Sequence, residues 1–60
     1  MWKVKANDPS GRAVTFACGT DEQALERAQE LEGRGFRDIY VVEPRGQART
    51  LRAFRQLMGE

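Results

Sequence analysis

Apolar and polar side chains alternate in two short stretches near the start of the chain. In the first stretch, Trp2, Val4 and Ala6 alternate with Lys3 and Lys5, as expected for a strand with one buried face. The second stretch, residues 13–18, repeats the alternation and places its larger apolar side chains on one side: Val14, Phe16 and Cys18. The pattern predicts two β-strands.

Five of the residues between these strands, 7–11, are common in turns. Pro9 suits the second position of a type I turn, and Gly11 suits a position that needs positive φ. The two strands are therefore predicted to form a β-hairpin.

A helix is predicted directly after the hairpin. Thr20 is followed by two acidic residues and Gln23, so that the Thr20 hydroxyl and the Gln23 side chain satisfy free amides at the helix start. Gly33 or Gly35 supplies the left-handed residue that ends the helix. The apolar stripe of this helix consists of Ala24, Leu25, Ala28 and Leu31.

The last third of the chain predicts a strand and then a second helix. Residues 39–42 are β-branched or aromatic, and Pro44 stops the run. From Gln47 onward, apolar residues recur every three or four positions, which predicts an amphipathic helix. These residues are Ala48, Leu51, Phe54 and Leu57 or Met58.

The predicted order is β-β-α-β-α, without an internal repeat, in a single domain over residues 1–60. A right-handed crossover would make the third strand parallel to the second. The third strand lies either beside the second or beside the first. The second placement, order 2-1-3, is favoured because Trp2 then reaches the middle of the helix-covered face. The prediction is an α+β two-layer sandwich: a three-stranded mixed sheet in order 2-1-3 with both helices on one face.

The two faces of this sheet are predicted to carry different residues. The helix-covered face carries Trp2, Val4, Val14, Phe16, Cys18, Ile39 and Val41. The opposite face carries Lys3, Lys5, Thr15, Tyr40 and Val42.

The amino-acid composition excludes several kinds of catalytic site and metal site. The chain has no His and one Cys, which excludes His-based catalysis, a Cys/His zinc cluster and an intrachain disulfide. No tuned acid–base pair is visible, so we expect a protein that is not an enzyme and needs no cofactor or metal. Cys18 is either a thiol activated by the following helix or a buried core residue, and its phase with Val14 and Phe16 favours the core.

The location is also constrained by the sequence. No run approaches the ~20 apolar residues of a membrane span. The chain start has no apolar segment of the signal-peptide kind, so we expect a cytoplasmic protein without membrane contact.

Charge is segregated along the chain. Residues 20–33 hold five acidic side chains, Asp21, Glu22, Glu26, Glu30 and Glu32, against Arg27. The C-terminal segment is basic, and its cations are predicted to form one stripe: Arg45, Arg49, Arg52 and Arg55. Such a stripe either contacts nucleic-acid phosphates or pairs with the acidic helix.

The uncovered face is a second candidate surface. Lys3, Lys5 and Tyr40 place cations near an aromatic ring, as in proteins that stack single-stranded bases. Val42 beside Tyr40 fits a protein partner or a second copy equally well. A domain of this size buries only about 60% of its unfolded surface. We therefore also expect self-association, through the face around Tyr40 or by edge pairing of the third strand.

One segment is similar to known domains. The segment from Asp8 to Glu26 resembles small bacterial and phage domains in which a hairpin precedes a helix beginning T-x-x-x-A. Some of these are DNA-binding arms of integrases, but those have three strands before the helix. No family and no residue role are therefore assigned.

The sequence thus predicts a non-catalytic binding module for protein–protein contact or self-association. The alternative is an accessory nucleic-acid-binding domain that uses the arginine stripe.

Overall fold

Two β-hairpins, each followed by a helix, build this chain. The computed structural model describes residues 1–59. The first half consists of β1 (Trp2–Asn7), β2 (Ala13–Cys18) and α1 (Asp21–Gly33). The second half consists of β3 (Arg37–Val42), β4 (Ala48–Thr50) and α2 (Leu51–Met58).

The strands form one sheet in the order β2-β1-β3-β4, and every neighbouring pair is antiparallel. The predicted neighbours β2-β1-β3 are confirmed. The prediction of three strands in a mixed sheet is wrong. β2 and β3 do run in the same direction, but β1 lies between them, so no parallel pair forms.

The fourth strand replaces the predicted first turn of the second helix. The Gly46 N–H donates to the Glu43 carbonyl at 2.8 Å, and the Glu43 N–H donates to the Gln47 carbonyl at 2.8 Å. Gly46 has φ 94°, which this tight turn requires. The chain therefore folds back along β3, and α2 begins only after Thr50, whose Oγ1 accepts from the Ala53 N–H at 3.1 Å.

The first hairpin closes with the same hydrogen bonds. The Gly11 N–H donates to the Asp8 carbonyl at 2.8 Å, and the Asp8 N–H donates to the Arg12 carbonyl at 2.9 Å. Both turns read acidic residue, proline, any residue, glycine. The chain therefore contains two hairpin–helix units in succession, although few side chains match between the halves.

The core lies between the sheet and both helices. One cluster of buried side chains joins strand and helix residues: Val4, Ala6, Cys18, Ala24, Leu25, Ala28, Leu31, Ile39, Val41, Leu51 and Phe54. The Trp2 ring packs against the Phe54 ring with centroids 5.7 Å apart. Both helices therefore lie on the side of the sheet that carries Val4 and Val41.

The ends of α1 follow the predicted signals. The Gln23 N–H donates to Thr20 Oγ1 at 3.1 Å, and the Gly19 N–H donates to Gln23 Oε1 at 3.0 Å. Gly35, with φ 88°, supplies the left-handed residue after the helix, whereas Gly33 lies within it. Within residues 1–59, neither helix has the length and apolar character needed to cross a bilayer.

Candidate interaction surfaces

One face of the sheet is not covered by the helices. Its side chains alternate along each strand with the buried residues of the core. We call this the open face and define it by Lys3, Lys5, Ala13, Thr15, Ala17, Tyr40, Val42, Ala48 and Thr50. None of these residues is acidic.

The open face brings together three of the predicted binding residues. Lys5 lies opposite Tyr40 on β3, and Lys3 lies opposite Val42. The Tyr40 side chain is 43% exposed, which is high for a large ring within a strand. Cations and an aromatic ring therefore share the middle of an accessible sheet.

The predicted arginine stripe does not form. Arg45 lies in the β3–β4 turn and Arg49 on β4, so only Arg52 and Arg55 are on α2. Arg49 stands opposite Val41, on the helix-facing side of the sheet. The prediction fails because β4 interrupts the helical spacing on which the stripe depended.

Two of these arginines are already engaged within the chain. Arg49 Nη1 donates to Glu43 Oε2 in a half-buried ion pair. Arg55 Nη2 donates to Glu32 Oε1 of α1 at 2.6 Å. For Arg55, the predicted pairing with the acidic helix is confirmed. In the described part of the chain, no carboxylate lies within salt-bridge distance of Arg45 or Arg52.

Charge is separated between the two layers. The acidic residues of α1 lie on the helix side of the sheet, and Lys3 and Lys5 point to the other side. Two further ion pairs lie within the helix layer: Arg27–Glu30 at 3.4 Å and Arg34–Glu30 at 3.7 Å. The net charge of the chain is only +1, although one face of the sheet is basic and the helix α1 is acidic.

The sequence reasoning missed the outer edge of β2. The predicted edge strand, β3, lies between β1 and β4 and offers no free edge. The sheet instead ends at β2, a six-residue strand without charge or proline, and at the three-residue β4. Val14 and Phe16 of β2 are only partly buried. The lack of charged residues in positions 13–18 was the sequence feature that could have indicated this accessible edge.

The Asp8 carboxylate lies in the turn between β1 and β2. Asp8 Oδ1 accepts from Ser10 Oγ at 2.7 Å and from the Arg12 N–H at 2.8 Å, and these bonds lower the pKa of Asp8. That carboxylate stabilises the first turn. A depression of about 600 Å³ beside α1 is lined by hydroxyl, amide, carboxylate and thioether groups, including those of Thr20, Gln23 and Met58.

Comparisons with protein-family models, curated proteins and solved structures found no match to this chain.

Proposed function

We propose that this chain is a non-catalytic binding module that acts by self-association, with a second copy as its partner. The observation that carries the proposal is a sheet with helices on one face only and an uncharged edge at β2. A chain of 60 residues buries only about 60% of its unfolded surface, so a second copy adds buried area that one copy lacks.

Partly exposed apolar side chains support the choice of a protein partner. Val14 and Phe16 lie at the β2 edge, and Tyr40 and Val42 lie on the open face. Contacts of this kind gain from removal of apolar surface from water. A dimer held by them should respond little to salt.

Size-exclusion chromatography with light scattering, over a series of protein and NaCl concentrations, tests the proposal. We expect the mass to rise from the 6.8 kDa of one chain toward twice that value as concentration increases. The rise should be similar at low and high salt. A single-chain mass throughout the series would contradict self-association.

A second candidate function is accessory nucleic-acid binding. It is supported by Lys3, Lys5 and Tyr40 on the open face. Arg52 lines a depression shared with Tyr40, but Glu32 and Asp38 line it too, so that depression adds little attraction for phosphate. Arg49 and Arg55 contribute less to this candidate, because their guanidinium groups already pair with carboxylates. The proposed contact is base stacking on Tyr40 with lysine–phosphate attraction.

Fluorescence anisotropy with labelled single-stranded DNA and RNA separates the two functions. Phosphate-driven binding should weaken steeply between low and physiological salt. Lys5→Glu should abolish it, and Arg49→Gln should change it little. Absence of binding at low salt would reject this candidate.

We also propose a cytoplasmic location. It is supported by the single, buried cysteine, since oxidising compartments favour paired cysteines in small domains. Fractionation of cells that express the tagged chain tests the location, and recovery in a membrane or extracellular fraction would contradict it.

A further inference from the structure

The outward hydrogen-bonding groups of β2 follow from the register of the first hairpin. Antiparallel partners alternate between residue pairs that exchange backbone hydrogen bonds and pairs that do not. The Asp8 N–H donates to the Arg12 carbonyl, so these two backbone groups face each other across the hairpin, and the register runs unbroken from there to Trp2 opposite Cys18. The N–H and C=O groups of every second β2 residue therefore face away from β1. These residues are Ala13, Thr15 and Ala17.

The β2 edge lacks the features that usually prevent pairing with another chain. Edge strands are commonly shortened, charged, bulged or interrupted by proline. β2 is six residues long, has no charge or proline, and pairs with β1 without a bulge. The opposite edge, β4, has only three residues and includes Arg49. The two edges of the sheet therefore differ in their capacity to accept a partner.

We propose that two copies of the chain pair through β2, antiparallel, about a twofold axis at Thr15. This inference rests on the proposed self-association and names its surface. Thr15 then lies opposite the partner's Thr15, and Ala13 lies opposite the partner's Ala17. Each outward N–H donates to an outward carbonyl of the other copy, and the two sheets become one continuous sheet.

The side chains of β2 suit this register on both faces. On the helix side, Val14 lies opposite the partner's Phe16, so two partly buried apolar side chains cover each other. On the open face, the residues that meet are alanine and threonine, which are small enough for close approach. No like charges of β2 meet at the axis.

The margin of α1 beside β2 carries both signs of charge. The Arg27 guanidinium lies 5.2 Å from the centre of the Phe16 ring, and Arg27 Nη1 lies 3.4 Å from Glu30 Oε1. Arg27 and Glu30 line a cavity of about 210 Å³, and Glu26 lines it as well. A margin with both charges complements a second copy of itself, whereas a uniformly acidic or basic partner would meet like charge.

The expected dimer is reversible. Two six-residue strands and their margins fall at the low end of specific interfaces, near or below about 1,200 Å². We therefore expect monomer and dimer to exchange over the concentration range that NMR spectroscopy can follow.

Amide hydrogen exchange of the full chain, measured by NMR at several concentrations, tests the pairing residue by residue. Protection of the Ala13, Thr15 and Ala17 amides should increase with concentration. The outward amide of Ala48, on β4, should exchange equally fast throughout. Concentration-dependent protection of Ala48 with none at Thr15 would overturn the proposal.

Proline variants provide a matched pair for the light-scattering experiment. Thr15→Pro removes an outward donor at the axis and leaves the bonds between β1 and β2 in place. It should raise the dissociation constant at least about tenfold. Ala48→Pro removes an outward donor on β4 and should leave the dissociation constant unchanged. Circular dichroism checks that both variants fold.

A second variant covers the case in which Thr15→Pro does not fold. Thr15→Glu places a carboxylate opposite Lys5 within one copy and opposite a second carboxylate across the axis. It should preserve the monomer and weaken the dimer. If Thr15→Glu remains dimeric while Tyr40→Lys becomes monomeric, self-association stands and the β2 interface is wrong. If the unmodified chain stays monomeric at every concentration, both proposals fail.

Discussion

Lys5 and Tyr40 lie directly opposite each other on the two central strands, and each stands three residues before the acidic residue that opens its hairpin turn. They are therefore equivalent positions of the two hairpin–helix units. The pairing of Val4 with Val41 continues the same register. A local twofold axis thus passes between Lys5 and Tyr40, in the middle of the open face.

This local symmetry is broken beyond Lys5, where the register of β1 and β3 shifts before Asn7 meets Arg37. Asp38 takes φ 52° there, and its Oδ2 accepts from Asn7 Nδ2 at 3.0 Å. The shift adds one residue to β3, as in a β-bulge. The bulge distinguishes the two halves of an otherwise symmetric sheet.

The first prediction concerns the backbone at Asp38. Asp38→Val should lower the free energy of unfolding by about 1–2 kcal/mol, because a β-branched residue is strained at positive φ. Asp38→Asn should change it by less than about 0.5 kcal/mol, since asparagine tolerates this conformation and keeps an acceptor. Urea denaturation measures both. Equal stability of the two variants would contradict the strained position.

The second prediction concerns acid stability. Hydrogen bonds from the Ser10 hydroxyl and the Arg12 N–H lower the pKa of Asp8 in the folded state. The stabilisation is therefore complete above the ordinary aspartate pKa, near pH 4, and is lost as pH falls through the lower, folded value. Asp8→Asn should reduce the fall in stability over that acidic range.

Thermal melts between neutral and acidic pH, together with an NMR titration of the Asp8 carboxyl, test this prediction. Glu22→Gln is the control, since Glu22 is an exposed carboxylate outside the turn. If stability fell equally with pH in the unmodified chain and in Asp8→Asn, the Asp8 carboxylate would have no part in acid destabilisation.

The elements that could be predicted from sequence are those with local signals. The alternation at Trp2 and Val4, the cap at Thr20 and the helical spacing from Ala24 each depend on neighbours within a few residues. The second hairpin was missed although residues 43–46 repeat the local turn pattern of residues 8–11. Ala48 and Leu51 fit a helical period, but the turn at Gly46 directs Ala48 onto β3 first.

The candidate surfaces also include residues that a local pattern could place and residues that it could not. Lys3, Lys5 and Tyr40 were predictable as one group because strand alternation fixes the face on which each side chain lies. The position of Arg49 was not, since it depended on where the second helix begins. The β2 edge required the strand order, because no local pattern shows that β3 is covered on both sides.

The third prediction concerns Cys18. Its side chain belongs to the core and is 8% exposed, as the phase with Val14 and Phe16 predicted. Alkylation by iodoacetamide should therefore be slow in the native chain and rapid in urea, as mass spectrometry of the intact protein would show. Rapid native modification would mean that the end of β2 opens readily.

The fourth prediction compares two apolar residues of α2. Phe54 is 1% exposed and packs against Trp2, whereas Leu57 is 60% exposed on the same helix. Phe54→Ala should lower the free energy of unfolding by about 3–5 kcal/mol, which is enough to unfold much of a marginal domain. Leu57→Ala should change it by no more than about 0.5 kcal/mol.

Phe54→Leu keeps this comparison measurable if Phe54→Ala does not fold. It should destabilise the chain less than alanine does, and the loss of the aromatic contact should alter the Trp2 fluorescence in the native state. Urea titration followed by that fluorescence and by circular dichroism reports both effects. If Leu57→Ala proved as destabilising as Phe54→Leu, α2 would have to pack through a different face.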